Sequence, residues 1–473
     1  MVRFIELFKP LARFFPDISS PKKKVSFNER LLWTGLVLII YFVMSEIPLY
    51  GIGKGGAQDP FGALRVIFAS HRGTLMELGI GPIVTAGLIL QILSGSKMID
   101  VDLTNPSDRA LFTSASKVLA VFMTIFEALA YLIGGAYGKL SFQAQAIILL
   151  QLLAAGIVIM LMDELLQKGW GFGSGISLFI AAGVAQAIWW SSVAPLGPMS
   201  DGKYLGALVA FAQSFRSLNE AFKAFYRSEG LPDMIGFITT IVIFLVIIYL
   251  DGLRVEVPVS YAKYRGFRGK YPIKLLYVSN IPVIFASALF GNIYFISQIL
   301  WSRYNSTNSN FWLNLIGTFE VKEGSYKPSG GLVYYLISPK SLSEALSDPI
   351  RAIMHIMVMM ATCVFFAITW IEVAGMDAKS VAKQLLDSGM QIGGFRRSPI
   401  PIQKIFERYI PAVTILGGLL IGFIAATADF FGVFGSGVGI LLMVGILEQY
   451  YQILARERML EMYPALSALM GKK

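Results

Sequence analysis

Cysteine appears once, at Cys363, and histidine twice, at His71 and His355, in 473 residues. A single thiol excludes a disulfide within the chain and any cysteine-held metal cluster, and two imidazoles cannot complete a histidine metal site alone. Charge is scarce too. Only 15% of residues are charged, too few to cover a soluble surface, while 55% are hydrophobic. There is no phosphate-loop motif, nucleophile–base triad, zinc motif or carboxylate pair set for a soluble pocket. "GIGKGG" at 51–56 fits G-x-G-x-x-G in letters only, because an apolar run ending "EIPLY" precedes it where a dinucleotide site needs a strand, and a loop follows. The chain reads as a non-enzyme, with no cofactor and no metal expected.

Long apolar runs fill the sequence instead. Residues 31–49, 111–135, 144–162, 234–250, 353–371, 409–428 and 433–447 read as near-complete membrane spans, and 78–93, 176–195 and 279–301 as spans with irregularities. That makes ten. Residues 203–226 mix apolar residues with Lys203, Arg216, Glu220 and Lys223, so they read as an external amphipathic helix, surface or re-entrant, rather than a span. Residues 1–30 carry Arg3, Lys9, Arg13 and "KKK" at 22–24 without a cleavage site after the first apolar run, so no cleavable signal is expected. With ten spans both termini share one side, and about two-thirds of the 40 lysines and arginines fall there. The positive-inside rule then puts both termini in the cytoplasm of a multi-pass plasma-membrane protein. The net charge of +10 follows mostly from that topology.

One run is too short. "LGIGPIVTAGLILQIL" at 78–93 is about 24 Å long as a helix, against a bilayer core of about 30 Å, and opens with Gly79, Gly81 and Pro82. The chain also looks duplicated. Pro82-Ile83-Val84-Thr85-Ala86 in the second run matches Pro282-Val283-Ile284-Phe285-Ala286 in the seventh, and "FGSG" opens both the fifth (172–175) and the tenth (434–437). Two five-span halves, 1–230 and 231–473, would have opposite topologies, giving an inverted repeat. The first half holds an external loop at 191–230; the second holds cytoplasmic loops at 251–276 and 372–409.

Ile80 with Val84, and Ile176 with Ile180, lie four apart and so share a helix face. That spacing suits lipid contact or helix packing, or an aliphatic constriction that stops ions by dewetting. Glu127 lies deep in the third span, and Thr85 and Asn292 are polar groups within the second and seventh, suited to interhelical hydrogen bonds or to a functional cluster. His355 and its neighbouring methionines read as packing. Asn305-Ser306-Thr307 fits a glycosylation acceptor in an external loop. The basic loops "YAKYRGFRGKY" (261–271) and "GFRR" (394–397) either only hold topology or also meet a phosphate-rich or acidic partner.

Over nearly its full length the chain resembles SecY, the alpha subunit of the Sec protein-conducting channel, of archaeal type and similar to the eukaryotic alpha subunit. "GIGPIVTAGLILQ", "GFGSGISLFIAAG", "SNIPVIFASAL" and "GMQIGGFRRSP" carry the resemblance, in the family's order and spacing. It implies an all-α polytopic membrane protein, ten transmembrane helices in two inverted five-helix halves around a central pore with a plug helix. The short second span would be a half-span helix, with a plug folded ahead of it at 59–72, including Phe61, Leu64, Val66, Ile67 and Phe68. The pore ring falls on Ile80, Val84, Ile176, Ile180, Ile284 and Leu442, with Leu441 the adjacent alternative. The lateral-gate polar cluster falls on Thr85, Glu127 and Asn292, and ribosome docking on Lys263, Arg265, Arg268, Arg396 and Arg397. The implied partners are the SecE (gamma) and Sec-beta subunits, the ribosome, signal peptides and nascent polypeptides, membrane lipid and further copies of the chain. The implied function is moving unfolded polypeptides across the membrane and releasing hydrophobic segments sideways into lipid. The rival reading is an inverted-repeat secondary transporter for a small solute, which needs polar ligands at a midplane site where this chain has Ile80, Val84 and Ile284.

Overall fold

Ser26 starts the first membrane helix, α1 (Phe27–Glu46), by a reciprocal capping box: its hydroxyl accepts from the Glu29 N–H, and the Glu29 carboxylate accepts from the Ser26 N–H. In this computed structural model, residues 10–11, 15–23, 25–52, 65, 68–95, 98–99, 105, 106–133, 137, 140–215, 225–227, 231–261, 268–278, 280–322, 325–387, 390–391 and 399–462 are described. Nine helices among them are long and apolar enough to cross a membrane. They are α1, α3 (Pro106–Ile133), α4 (Phe142–Gln167), α5 (Gly175–Val193), α6 (Met234–Gly252), α7 (Ile281–Tyr304), α8 (Pro349–Val373), α9 (Pro399–Phe430) and α10 (Gly437–Met462). The tenth apolar helix, α2 (Gly81–Gly95), has 15 residues, the half-length element expected at 78–93.

The helices meet around a central apolar cluster fed by α1, α2, α4, α5, α6, α7, α8, α9 and α10. Here α2 packs on α3 and also on α7 and α8, while α5 packs on α10. Many aliphatic and aromatic side chains on the outer faces of α1, α3, α6 and α8 stay exposed, as befits helices facing lipid.

One set of polar contacts occurs twice. On α1, the Thr34 hydroxyl donates to the Arg30 carbonyl (2.8 Å) and accepts the Phe172 N–H (3.0 Å); on α6, the Thr240 hydroxyl donates to the Gly236 carbonyl (2.6 Å) and accepts the Phe434 N–H (2.9 Å). Near the end of α4, Asp163 accepts the Ile176 N–H at the start of α5 (3.1 Å) and the Ser174 hydroxyl (2.9 Å). Near the end of α9, Asp429 accepts the Gly437 N–H at the start of α10 (2.6 Å). Both "FGSG" turns therefore have their exposed N–H groups satisfied by a threonine from the first helix of a half and an aspartate from the fourth. Helix starts need such acceptors where water is absent.

The inter-helix segments hold small sheets that the apolar pattern did not foretell. Strands β1 (Arg254–Tyr261) and β2 (Arg268–Lys274) form an antiparallel hairpin, and β5 (Met390–Gln391) pairs with β1 through Ser260↔Gln391 and Tyr261↔Met390. The two basic loops are thereby joined in one sheet. A second hairpin, β3 (Thr318–Lys322) with β4 (Ser325–Gly330), lies between α7 and α8. Within the segment expected to be amphipathic, a helix runs over Ala207–Ser214, and residues 216–224 lie outside the described residues. The nearly buried Arg227 gathers that segment, binding Asp201 and the carbonyls of Tyr204, Leu205 and Pro232. At the other face Asp17 sits between Lys117 (2.8 Å) and Lys168 (2.7 Å), which tie the N-terminal segment to α3 and α4; hydrogen bonding with the Glu164 carboxyl and then with these two lysines holds the Asp17 carboxyl well below the usual range.

The repeated threonine contacts are testable. Thr240→Val leaves the Phe434 N–H buried without an acceptor, a cost of about 1–3 kcal/mol. A lowered melting temperature in detergent is expected, whereas Thr113→Val, which removes a similar hydroxyl-to-carbonyl bond on an exposed face of α3, should leave it unchanged. Equal effects would mean that the Phe434 contact adds nothing.

Candidate functional site

The site is built from the chain's entry into α2. Phe68 is buried in the central cluster, and its carbonyl accepts the Ile80 N–H at 2.8 Å. Between them the backbone turns through Gly79 at φ +54°, where an added Cβ would stand 2.1 Å from the Phe68 oxygen. Only glycine fits that approach. Pro82 then lies in the first turn of α2, where a missing N–H costs nothing.

All six expected ring residues belong to the central cluster or pack against it. Ile80 and Val84 at the start of α2, Ile180 on α5 and Leu442 on α10 are buried in the central cluster; Ile176 on α5 and Ile284 on α7 pack against it partly exposed. Each comes from the first two turns of its helix or from the residue just before it. Leu441 is buried in the same cluster beside Leu442. Of the expected plug residues, Phe68 lies in the same cluster; Phe61, Leu64, Val66 and Ile67 lie outside the described residues.

The three polar residues form a chain across three helices. The Asn292 side-chain amide on α7 donates to the Thr85 hydroxyl on α2 (3.2 Å), which donates to the Glu127 carboxylate on α3 (3.2 Å). A small pocket opens beside them, lined in part by Phe68, Gly81, Tyr131 and Asn292. Sequence reading missed a second polar contact at its edge. Arg65 Nη2 lies 2.7 Å from Glu77 Oε1, with their side chains only 11% and 1% exposed, and the other Glu77 oxygen accepts the Gly73 N–H. The signal was an acidic residue immediately before an apolar run, "MELGIGP".

Of the basic residues, Arg268 opens β2; Lys263, Arg265, Arg396 and Arg397 lie outside the described residues. The pairing of β1 with β5 nonetheless brings the flanks of both basic stretches side by side. Among the described residues no group of three or more His, Cys, Asp and Glu side chains could hold a metal ion.

The SecY family model matches residues 74–451, and the model for the plug domain of Sec61p matches residues 39–73. The protein translocase subunit SecY of Pyrococcus furiosus is 43% identical, over 98% of this chain and 99% of its own. A solved protein-conducting channel superposes with a TM-score of 0.81 at 39% identity, over 97% of this chain and 99% of that one. Sec61 in the canine ribosome–channel complex from the endoplasmic reticulum gives a TM-score of 0.79 at 37% identity, over 97% and 99%.

The ion pair ahead of α2 has a measurable signature. Arg65→Leu strands the Glu77 carboxylate in a nearly closed site, which should cost about 3–5 kcal/mol, whereas Arg65→Leu with Glu77→Leu should recover most of the loss. Thermal unfolding of both variants in detergent measures this. Additive losses would show that the two side chains act independently.

Proposed function

The chain belongs to the SecY family, and from that we infer that it is the channel-forming subunit of a Sec translocon. It conducts unfolded polypeptides across the membrane and releases hydrophobic segments laterally into lipid. The observation that carries this reading is the convergence of aliphatic side chains from α2, α5, α7 and α10 on one cluster, with Phe68 packed into it. An ion in such a ring loses water and finds no replacement ligand, whereas an extended chain has no strong hydrogen bonds to break on its way through.

Ile80, Val84, Ile176, Ile180, Ile284 and Leu442 form the constriction, and residues 59–72 form the plug beneath which α2 begins part-way across. The lateral gate opens between α2 with α3 and α7 with α8, and the contacts of α2 with both α7 and α8 support that placement. The bond from Asn292 to Thr85 crosses it and Glu127 holds the Thr85 hydroxyl from the same side, so the cluster favours the closed gate. Substrates are then sorted by partitioning: a central Leu, Ile or Phe gains roughly 0.3–0.6 kcal/mol in lipid, and a central charge costs roughly 2.5–3.5 kcal/mol. The halves 1–230 and 231–473 hinge around the pore, a reading supported by the threonine and aspartate contacts that occur once in each.

The chain itself is a passive conduit rather than a catalyst, so the driving force comes from a partner. The ribosome docks on the joined basic loops through Lys263, Arg265, Arg268, Arg396 and Arg397, and SecE and Sec-beta complete the complex. The lysine and arginine bias supports a cell-membrane protein with both termini in the cytoplasm.

Crosslinking from single cysteines decides the pore assignment. Cysteine at Ile180 or Ile284 should capture a stalled nascent chain; cysteine at the lipid-exposed Trp189 or Ile296 should not. Equal capture from all four positions would put the pore elsewhere.

Charge reversal at Arg265 with Arg268, or at Arg396 with Arg397, should weaken ribosome binding while leaving topology intact, and binding to the unaltered chain should fall steeply with salt. Affinity that ignores both would leave these loops a role in topology alone.

A further inference from the structure

The two halves of the chain are joined through residues 194–233, between α5 and α6. A connector of that length lets its ends drift unless something ties them. Its first part folds back on the end of α5. The Gly206 N–H donates to the Ala194 carbonyl (3.0 Å), the Leu205 N–H to the Leu196 carbonyl (2.7 Å), and the Met199 N–H to the Lys203 carbonyl (2.8 Å). Helix Ala207–Ser214 then packs on both α5 and α6. At the far end Asp233 caps α6 by accepting the Gly236 N–H (2.7 Å).

Arg227 stands between these two ends, its side chain only 2% exposed. Every N–H of its guanidinium has an acceptor. Nε (2.8 Å) and Nη2 (3.1 Å) donate to the two Asp201 oxygens, and Nη2 also reaches the Tyr204 carbonyl (3.0 Å). Nη1 donates to the Leu205 carbonyl and to the Pro232 carbonyl, each at 2.9 Å. All but the last of these bonds go to the fold-back attached to α5. The last goes to the residue just before the α6 cap. Hydrogen bonding with Arg227 holds the Asp201 carboxyl below its usual range. A planar fork engaged on both sides cannot turn toward one end without giving up bonds to the other, and a lysine ammonium has too few donors to replace it.

We propose that Arg227 is the pin of the connector: it holds the adjoining ends of α5 and α6 at one separation, so the two halves rotate about this point rather than slide apart there. The proposal rests on the reading of the chain as a two-halved channel and adds a positioning residue to it. α5 and α6 both pack on α10, whereas α2, α7 and α8 pack on one another at the gate. With the separation fixed at the connector, relative motion of the halves is spent on opening the gate.

Dipolar electron resonance on the full chain, assembled with its partner subunits in vesicles, tests this. In a Cys363→Ala background, which removes the only native thiol, Trp190→Cys on α5 and Ile238→Cys on α6, both exposed, carry spin labels. With Arg227 intact the distance distribution should be narrow and should keep its mean when a nascent chain is stalled in the channel. Arg227→Lys or Arg227→Gln should broaden it severalfold at rest. Asp201→Asn, which leaves the Pro232 bond in place, should keep it narrow. The proposal falls if the mean shifts on engagement with Arg227 intact. It also falls if both Arg227 variants stay narrow, even with a lowered melting temperature, because Arg227 then only stabilises the loop. Equal broadening by Asp201→Asn would overturn it too, by placing the effect in the ion pair rather than in the tie to α6. The resting distances do not depend on what the channel carries, and crosslinking from Ile180 and Ile284 tests that reading separately. Co-purification of the partner subunits shows that each variant is assembled.

Discussion

Backbone that enters a bilayer without forming a complete helix must hide its peptide groups, and the channel is arranged around that constraint. The segment between α1 and α2 meets it with its own loop bonds. The Leu49 N–H reaches the Gly73 carbonyl (2.8 Å), Leu75 reaches Ile47 (3.0 Å), His71 reaches Met76 (2.9 Å), and Ile80 reaches Phe68 (2.8 Å). The last bond joins the segment ahead of α2 to Ile80, the first of the expected ring residues. Gly79 makes this possible, since any side chain there would collide with the Phe68 oxygen.

On the proposed reading, the aliphatic ring and the lateral gate divide two tasks that need opposite chemistry. A seal against ions must offer no ligand, which aliphatic side chains guarantee. A gate that opens sideways must be held closed weakly, or hydrophobic segments could not part it. The three-residue chain from Asn292 through Thr85 to Glu127 suits that need: interhelical hydrogen bonds in membranes contribute about 0.6 kcal/mol on average. The Arg65–Glu77 pair is of another kind. It lies within the segment ahead of α2 rather than across the gate, and so steadies the plug side whichever way the gate stands.

The spans, the short α2 and the aliphatic and polar residues gathered inside the bundle were legible in the sequence because each leaves a one-dimensional trace. Length marks α2; four-residue spacing puts Ile80 with Val84 and Ile176 with Ile180; polar letters inside apolar runs single out Thr85, Glu127 and Asn292. That these residues meet came from the family resemblance, since periodicity gives a face but no partner for it. Other features left no such trace. β5 is two residues long and exists only because β1 supplies its partner more than a hundred positions earlier. Asp163 and Asp429 look like ordinary span-end charges until the next helix start is placed against them. Asn305 reads as a surface sequon, and only the fold shows its amide turned inward.

The duplicated turns also differ in one respect that bears on how two halves could move. At the α4–α5 turn, the Tyr450 hydroxyl from α10 lies 3.1 Å from the Phe172 carbonyl and 2.9 Å from the Ser174 carbonyl. One O–H cannot fully satisfy both, so it is shared or alternates between them, and the contact persists through small rotations of α10. Gly173 permits the approach: at φ +66°, its added Cβ would stand 2.8 Å from the tyrosine ring. At the α9–α10 turn, the matching Gly435 faces only Val184 and Ile188 of α5. The same backbone motif thus meets a directional polar partner at one end and a non-directional apolar surface at the other. Apolar surfaces slide at little cost, whereas a hydrogen bond buried away from water resists separation. The α4–α5 turn is thus held to α10 by a directional bond, whereas the α9–α10 turn meets α5 chiefly through the Val184 and Ile188 side chains.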